Sequence, residues 1–473
     1  MKTDNVNTDN VRTDSVHTDN VDLENVPADK DNTDLIKKFV PSIERPSRQW
    51  YAWVTVLSAI VLFGIYALVR QIIDGQIITG MRDNAVWGIY TANFVFFMGL
   101  SYAGALISCT FQLLRIQWGK PLLRIAELIT VSSLIVGAPF ILFCLGRLDR
   151  IHYLFTFGRI QSPITWDVIA ITTDLVFCIA FLYFTHIRDF AKLRDIPDLK
   201  VAPWRKKMYR ILALDYKGTP LQKKYLHQAH DIMAAIIIPT AIIAYSLLSW
   251  LFGMSLRPGW HSTIFGPYFV ITATYSGLAL MIVIMWIYRK MQKLEDQITN
   301  LHFNYLAFGL VLMALFYGYF SFSEYITEWY NLTETSAILL AKFFDFSQYA
   351  WLAFIHILLA IVLPVIVIGL PWFRSINSVT IISALVVIGL WIKRYLIVVP
   401  TLETPFIPIQ DIREDWVTYS PSWVELALTF AGIALMILIF VIASKIAPII
   451  PVAEVEDKHD ASKPILKFKT QGA

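Results

Sequence analysis

Two aspartates, Asp167 and Asp174, stand seven residues apart inside one apolar run of the sequence. On a helix, seven residues are nearly two full turns, so both carboxyl groups share a face and lie about 10 Å apart along the axis. Ionisable side chains inside membrane spans are costly and are mostly paired or functional. Asp167 stands near the start of its run, where an acid is often a helix cap, whereas Asp174 is predicted to point into a helix bundle. Together they predict a proton relay between the outer surface and a site within the membrane.

Two more acidic residues belong to apolar runs. Glu127 follows Arg124 by three residues, a spacing that allows a contact on one helix face. Two interpretations of Glu127 stay open: an ion pair at the membrane interface, or a carboxylate that handles protons. Glu324 stands at the outer end of a later run. The candidate proton-transfer residues are therefore Glu127, Asp167, Asp174 and Glu324.

The segment that precedes Asp167 carries Arg147, Asp149, Arg150 and Arg159. Arginine forms paired hydrogen bonds with carboxylates and with other planar or anionic groups. Alternating Arg and Asp residues beside a helix start therefore indicate either a site for a polar headgroup or a brace for the loop. The brace is the favoured interpretation for Arg150 and Arg159.

Metal-binding and nucleotide-binding motifs do not stand out. Cys109, Cys144 and Cys178 all fall in apolar runs without a C-x-x-C pair, so neither a zinc nor an iron–sulfur site is predicted. His356 has no evident partner for a bis-histidine haem. No P-loop, dinucleotide fingerprint or nucleophile motif is present. We expect this chain to bind no metal or haem.

Composition requires a membrane environment for these residues. Of 473 residues, 56% are hydrophobic and 16% are charged, against about 25% charged in typical soluble proteins. Ten apolar runs reach the roughly 20 residues needed to cross a bilayer, and only helices satisfy their backbone in lipid at that length. The sequence predicts an all-α polytopic membrane protein with helices over 51–71, 87–114, 124–146, 164–187, 229–254, 264–289, 302–323, 346–371, 376–399 and 422–445.

Lys and Arg residues between the runs predict the orientation. They are concentrated before the first run, in the 188–224 and 289–293 segments and in the C-terminal tail, which places both termini in the cytoplasm. The 146–163 and 258–261 segments then face outward from the cell (inner) membrane. The net charge of +4 is small and follows this loop pattern, so a nucleic-acid partner is not expected.

The sequence suggests six regions, the first of which is a polar tail with a five-residue repeat (TDNV-like). Such a tail is expected to be disordered, or to order as a strap against a partner. Residues 101–104 also resemble residues 274–277, which suggests two related four-helix bundles. The regions are the tail 1–49, the first helix and outer loop 50–86, the first bundle 87–254, the second bundle 255–399, the outer loop and last helix 400–445, and a cytoplasmic tail 446–473.

From about residue 86 to residue 453 the chain resembles the polysulfide-reductase NrfD-like family, and within it the ten-helix quinol-oxidising subunit of alternative complex III. The resemblance rests on the order and spacing of several short motifs rather than on any one of them. These motifs are residues 93–96, 104–108, 124–127, 146–147, 162–168, 258–265, 267–269, 322–325, 389–395 and 419–425.

The resemblance implies two four-helix bundles, no bound metal, and a quinol pocket in the first bundle near the outer face. It further implies Asp167 as proton acceptor, Arg147 at the pocket mouth and Glu127 on a proton route. The expected substrate is menaquinone or ubiquinone. The expected partners are membrane lipid, iron–sulfur or haem c subunits, and a second NrfD-like or other small membrane protein of the same complex. The candidate quinone-binding residues are Tyr102, Arg147, Asp149, Trp166 and Asp167.

The chain departs from that subunit at three positions. Tyr102 and Cys144 stand where it carries histidines, and Leu251 stands at an acidic position. A phenol, with an ordinary pKa of about 10, is a poor base at neutral pH, but it still hydrogen-bonds a quinol oxygen. Asp174 and Asp149 are candidates to compensate.

Three hypotheses follow for the function. The first is a quinol-handling membrane subunit of a respiratory redox complex, which is not expected to be active alone. The second is a membrane anchor or proton-translocating subunit without a working quinone site. The third is a solute or ion transporter built from two bundles.

Overall fold

The computed structural model describes residues 39–452 apart from 42, 45, 83–84, 197–198, 332 and 405–417. Within these ranges the regular structure is helical, and ten helices are long and apolar enough to cross a membrane. This confirms the predicted all-α membrane fold. We name the helices in chain order α1 (Arg48–Asp74), α2 (Gly88–Leu113), α3 (Leu123–Phe143), α4 (Pro163–Arg194), α5 (Pro220–Gly253), α6 (Phe265–Met291), α7 (Asn300–Asn331), α8 (Ala350–Ile368), α9 (Ile376–Leu402) and α10 (Trp423–Ile446).

Some predictions lie outside the described residues. They are the five-residue repeats of the N-terminal tail, Arg413 in the predicted outer loop, and most of the predicted C-terminal tail with its four lysines. Orientation and the boundaries of the six regions likewise stay predictions.

The helices pack as two four-membered rings. In the first ring α2 contacts α3 and α5, and α4 closes the ring by contacting the same two helices. In the second ring α6 contacts α7 and α9, and α8 closes it. The rings meet where α2 packs on α6 and α9, and where α5 packs on α6. Helix α10 lies along α1 and also contacts α3, so this pair flanks the first ring.

Small residues allow the two rings to approach closely. Gly277 of α6 faces Ala103 of α2, and a Cβ atom added to Gly277 would overlap the Ala103 side chain. Close backbone approach at small residues is the usual way that helices associate in lipid. The contact joins the 101–104 and 274–277 segments, so the residues that suggested a repeat lie at the interface between the rings.

Several helices are longer than the hydropathy of the sequence predicts. Helix α4 continues to Arg194 and α5 begins at Pro220, because charged residues form further turns beyond the apolar core. The start of α5 is stabilised by Thr219, whose hydroxyl accepts a hydrogen bond from the Gln222 amide at 3.3 Å. Two shorter helices, Pro203–Leu212 and Glu334–Phe344, were not predicted.

A buried carboxylate at the start of α10 joins this helix to two distant segments. Glu425 accepts hydrogen bonds from the Tyr419 hydroxyl at 2.7 Å, the Gly80 amide at 2.7 Å and the Ser422 amide at 2.8 Å. The Tyr419 hydroxyl in turn accepts from the Ile89 amide at the start of α2. Glu425 therefore holds the flanking helices against the first ring.

We expect Glu425→Ala to lower the free energy of unfolding by about 2–4 kcal/mol, because three donors lose their shared acceptor in a buried site. The measurement is unfolding of the detergent-purified protein followed by tryptophan fluorescence. Glu334→Ala, which removes an exposed first-turn carboxylate, is the control and should change the free energy by less than about 0.5 kcal/mol. Equal effects of the two substitutions would contradict this role of Glu425.

Candidate functional site

One face of α4 carries polar residues along its whole length. Their spacing of seven, four, seven and four residues keeps them on a single helical face, and each is buried. The first and last are about 33 Å apart along the axis, which matches the roughly 30 Å apolar layer of a bilayer. We call this set the α4 stripe: Asp167, Asp174, Cys178, Thr185 and Asp189.

Tyr102 of α2 lies near the end of the α4 stripe that carries Asp167 and Asp174. Its side chain is fully buried and close enough to Asp174 and Asp167 to interact electrostatically with both. The Tyr102 hydroxyl, Asp167 Oδ1 and Asp174 Oδ2 are buried atoms that lack a hydrogen-bond partner within the described structure. Such atoms are rare because each costs free energy. The structure thus brings three sequence-predicted residues into one cluster of buried polar atoms without hydrogen-bond partners.

Polar contacts continue from this cluster along the α4 stripe. Cys178 Sγ donates a weak hydrogen bond to Asp174 Oδ1 at 3.4 Å. Cys178 also lines a cavity of about 10 Å³ together with Glu127 and Ser108. That volume holds about one water molecule. Beyond the cavity, the Thr185 hydroxyl donates to Glu127 and lies 2.9 Å from each carboxylate oxygen.

The last residue of the α4 stripe forms a buried ion pair with α3. Arg124 Nη1 lies 2.6 Å from Asp189 Oδ2, and both side chains are at most 1% exposed. The same guanidinium donates to the Pro448 carbonyl at 2.7 Å and to the Thr185 carbonyl at 3.2 Å. Sequence reasoning considered Glu127 as the neighbour of Arg124 and did not single out Asp189. The sequence does mark Asp189 as part of the buried face of α4, since it continues the four- and seven-residue spacing from Asp167.

Arg147 and Asp149 occupy the loop between α3 and α4. Two hydrogen bonds join them, from Arg147 Nε at 3.0 Å and from Nη2 at 2.8 Å, and both side chains are largely exposed. These bonds hold the pKa of the Asp149 carboxyl below its usual range. Arg147 and Asp149 are therefore paired with each other at the surface, whereas Tyr102, Asp167 and Asp174 are buried. Trp166 is half-buried and donates its indole N–H to the Ile160 carbonyl, which ties this loop to α4.

Glu324 belongs to a separate cluster in the second ring. It lies 3.3 Å from Lys393 Nζ, which also donates to the Tyr325 hydroxyl at 3.0 Å. All three side chains line a cavity of about 30 Å³. The structure therefore separates Glu324 from the other three predicted proton-transfer residues.

His356 has partners on both ring nitrogens. Nε2 lies 2.9 Å from the Tyr317 hydroxyl, and Nδ1 lies 2.9 Å from the Gly389 carbonyl. The residue that looked isolated in the sequence thus cross-links α7, α8 and α9. Among the described residues, no group of three His, Cys, Asp or Glu side chains is arranged to hold a metal ion.

Arg394 was not among the sequence-predicted site residues, yet it is linked to Tyr102 through Tyr245. Its Nη2 donates to the Tyr245 hydroxyl at 3.0 Å, and its guanidinium lies 4.5 Å from the Phe269 ring centre. The Tyr245 ring in turn stands 5.3 Å from the Tyr102 ring. A buried cation at the interface between the rings thus supports the cluster from the second ring.

A family model described as polysulphide reductase, NrfD, matches residues 77–405. The chain belongs to the NrfD family. The matched range covers more than half of the chain, including both rings and every residue of the cluster around Tyr102. The predicted resemblance to this family is confirmed at the level of the family.

The relatives have low sequence identity to this chain, and most of them align with it over nearly their whole length. A selenate reductase subunit of Mesobacillus selenatarsenatis is 23% identical over 88% of this chain and 98% of its own length. An Hdr-like menaquinol oxidoreductase integral membrane subunit of Archaeoglobus fulgidus is 22% identical over 88% and 97%. A Halobacterium salinarum protein, provisionally named as a membrane subunit of dimethyl sulfoxide reductase, is 28% identical over 49% of this chain and 50% of its own length. The chain thus spans about half of that last relative.

We expect Asp189→Ala to destabilise the protein by about 3–5 kcal/mol, because it leaves the Arg124 guanidinium buried without its charge partner. Asp195→Ala is the matched control, since Asp195 pairs with Arg194 but is 63% exposed, and it should cost less than about 1 kcal/mol. Thermal unfolding of both variants in detergent measures the difference. A loss for Asp189→Ala no larger than that of the control would show that the pair does not hold α3 and α4 together.

Proposed function

We propose that this NrfD-family protein is the quinone-reactive membrane subunit of a respiratory oxidoreductase complex, with its site at Tyr102, Asp167 and Asp174. The observation that carries the proposal is the set of three buried polar atoms without hydrogen-bond partners, gathered on facing helices of the first ring. The Archaeoglobus relative supports it, since its name assigns it to a menaquinol oxidoreductase.

The chemistry follows from the residues of the cluster. Oxidation of a quinol to a quinone releases two protons and two electrons. Asp167, near the start of α4 and only 5% exposed, accepts the two hydroxyl protons of the quinol in turn, passing the first to Asp174 before it takes the second. The Tyr102 hydroxyl hydrogen-bonds a ring oxygen and so orients the substrate. The electrons leave through a partner protein with iron–sulfur clusters or c-type haems, and reduction of a quinone runs through the same groups in reverse.

The α4 stripe supplies the proton route in this proposal. A proton accepted at Asp167 passes to Asp174, and the water-sized cavity beside Cys178 joins Asp174 to Glu127. Glu127 and Thr185 extend the route toward the face that carries most of the Lys and Arg residues. Because positive loops are cytoplasmic, this route runs from the outer side inward.

The protein lies in the cell (inner) membrane with both termini cytoplasmic, and Arg147, Asp149 and Trp166 form the outer rim by which a quinol enters. Menaquinol or ubiquinol is the substrate. The complex is related to alternative complex III, and a second NrfD-like or small membrane subunit is a further partner.

A second candidate function is a proton-translocating subunit without a quinone site. The observation that favours it is the reach of the α4 stripe, which continues well past the cluster to Asp189. The two functions differ in whether the purified protein binds a quinol.

The test is a fluorescence-quench titration of the detergent-purified protein with a quinol analogue. We expect saturable binding, weakened about tenfold, or by about 1.4 kcal/mol, in each of Asp167→Asn and Tyr102→Phe. Tyr102→Phe removes a buried hydrogen bond, and Asp167→Asn replaces a charged acceptor by a neutral amide that forms a weaker one. Tyr275→Phe is the matched control. Tyr275 is the corresponding buried phenol of the second ring, and its hydroxyl already donates to the Ala360 carbonyl at 2.7 Å.

The possible outcomes are distinct. Binding that survives both substitutions unchanged places any quinone site outside the cluster. Equal weakening by Tyr275→Phe shows that the loss reflects the fold rather than the site. Absence of binding by folded wild-type protein supports the proton-translocating candidate.

A further inference from the structure

A long cleft lies between α10 and helices α2, α6 and α9. It has a volume of about 580 Å³ and is lined by residues of α2, α6, α9 and α10, with Trp50 at one end. On α10 the lining residues run from Leu426 to Ser444, which corresponds to about 27 Å along the axis. The cleft therefore extends across most of the roughly 30 Å apolar layer. Ile388 and Phe430 on its margins are exposed, so it opens toward the surrounding lipid.

The width of the cleft limits the kind of molecule that it can hold. Spread over its length, the volume open to the centre of a water molecule has a width of about 5 Å, so the cleft is about 8 Å wide from wall to wall. A transmembrane helix, with its side chains, is about 10–12 Å in diameter and is wider than the cleft. A single hydrocarbon chain in van der Waals contact with its walls is about 4–5 Å across. The cleft thus accommodates a flexible chain and not a partner helix.

Polar side chains along the cleft are hydrogen-bonded within the protein. Asn93 closes one end, since its Nδ2 donates to Thr429 Oγ1 at 2.7 Å and its Oδ1 accepts from the Trp391 indole at 2.8 Å. At the other end the Trp50 indole donates to the Val441 carbonyl at 3.0 Å. The walls therefore suit an apolar chain, whereas a quinol ring would require hydrogen-bonding groups that these residues have already engaged.

The end of the cleft at Trp50 is bordered by positive charge. Three chain segments meet there, residues 46–52, 286–293 and 441–448. They carry Arg48, Arg289, Lys290, Lys293 and Lys445, whereas Glu44, Glu295 and Asp296 lie just beyond them, and Lys290 lies 3.5 Å from Glu295. Basic residues therefore outnumber acidic ones by five to three at this end. Basic residues at a membrane surface attract anionic lipid headgroups.

We propose that the cleft is a binding site for an anionic phospholipid, with one acyl chain between α10 and the rings and the phosphate at the basic end. The lipid fills the space that α10 leaves against α6 and α9, and so joins the flanking pair α1 and α10 to the second ring. This site is separate from the cluster around Tyr102 and does not depend on quinone chemistry.

The test uses the full chain purified in mild detergent within its complex, followed by mass spectrometry of the retained lipids. We expect about one phosphatidylglycerol or cardiolipin per chain. Ile388→Trp places an indole in the cleft and should reduce this lipid at least about fivefold, because the larger side chain fills space that the acyl chain would occupy. Ile179→Trp is the matched control, since Ile179 is similarly exposed on α4 but does not line the cleft. It should retain the lipid.

Several outcomes would overturn the proposal. They are equal lipid content in the two variants, retention of only neutral phospholipid, or retention of quinone in place of phospholipid. A second measurement covers the case in which Ile388→Trp does not fold. Wild-type protein is exposed to phosphatidylglycerol carrying a photoreactive acyl chain. Labelling concentrated in 387–391 and 426–444 supports the site, and labelling spread evenly over all exposed helices overturns it.

Discussion

Lipid offers no hydrogen-bonding partner to a charged or polar side chain, so each such group within the two rings must be satisfied by another part of the chain. Most are. Arg124 pairs with Asp189, Lys393 pairs with Glu324, and His356 is bonded on both nitrogens. The Tyr102 hydroxyl, Asp167 Oδ1 and Asp174 Oδ2 depart from this pattern, as do Ser101 Oγ next to Tyr102 and Arg394 Nη1. The same constraint that organises the interior therefore identifies the place where a substrate with polar oxygens would be stabilised.

Helix α2 connects the separate parts of this arrangement. Its most apolar stretch is 89% buried, whereas the most apolar stretch of α4 is 22% buried. On α2, Tyr102 lies near Asp167 and Asp174 of α4, and Ala103 packs against Gly277 of α6. The Asn93 side chain of α2 donates a hydrogen bond to Thr429 of α10. The position of Tyr102 beside the aspartates is thus fixed by contacts on three sides of one helix. Arg394 adds support from α9 through Tyr245.

Hydropathy was sufficient to predict the fold class and the ten spans, because long apolar runs have only one solution in lipid. Helical periodicity correctly placed Asp167 and Asp174 on one face. Ion pairs between helices could not be predicted from the sequence. The Arg124–Asp189 and Lys393–Glu324 pairs each join residues that are distant along the chain, so residue spacing does not reveal them. The roles of Arg147 and Asp149 stay predictions, and the structure shows them braced against each other in an exposed loop.

The central claim is that a quinol is held by Tyr102 and Asp167 in the first ring. A cryo-EM map of the intact complex with a quinol analogue bound tests this most directly. We expect an oxygen of the quinol within about 3 Å of the Asp167 carboxyl or the Tyr102 hydroxyl, as a hydrogen bond requires. A quinol located among the helices of the second ring, near Glu324 and Lys393, would contradict this claim. So would a quinol bound only to a partner protein.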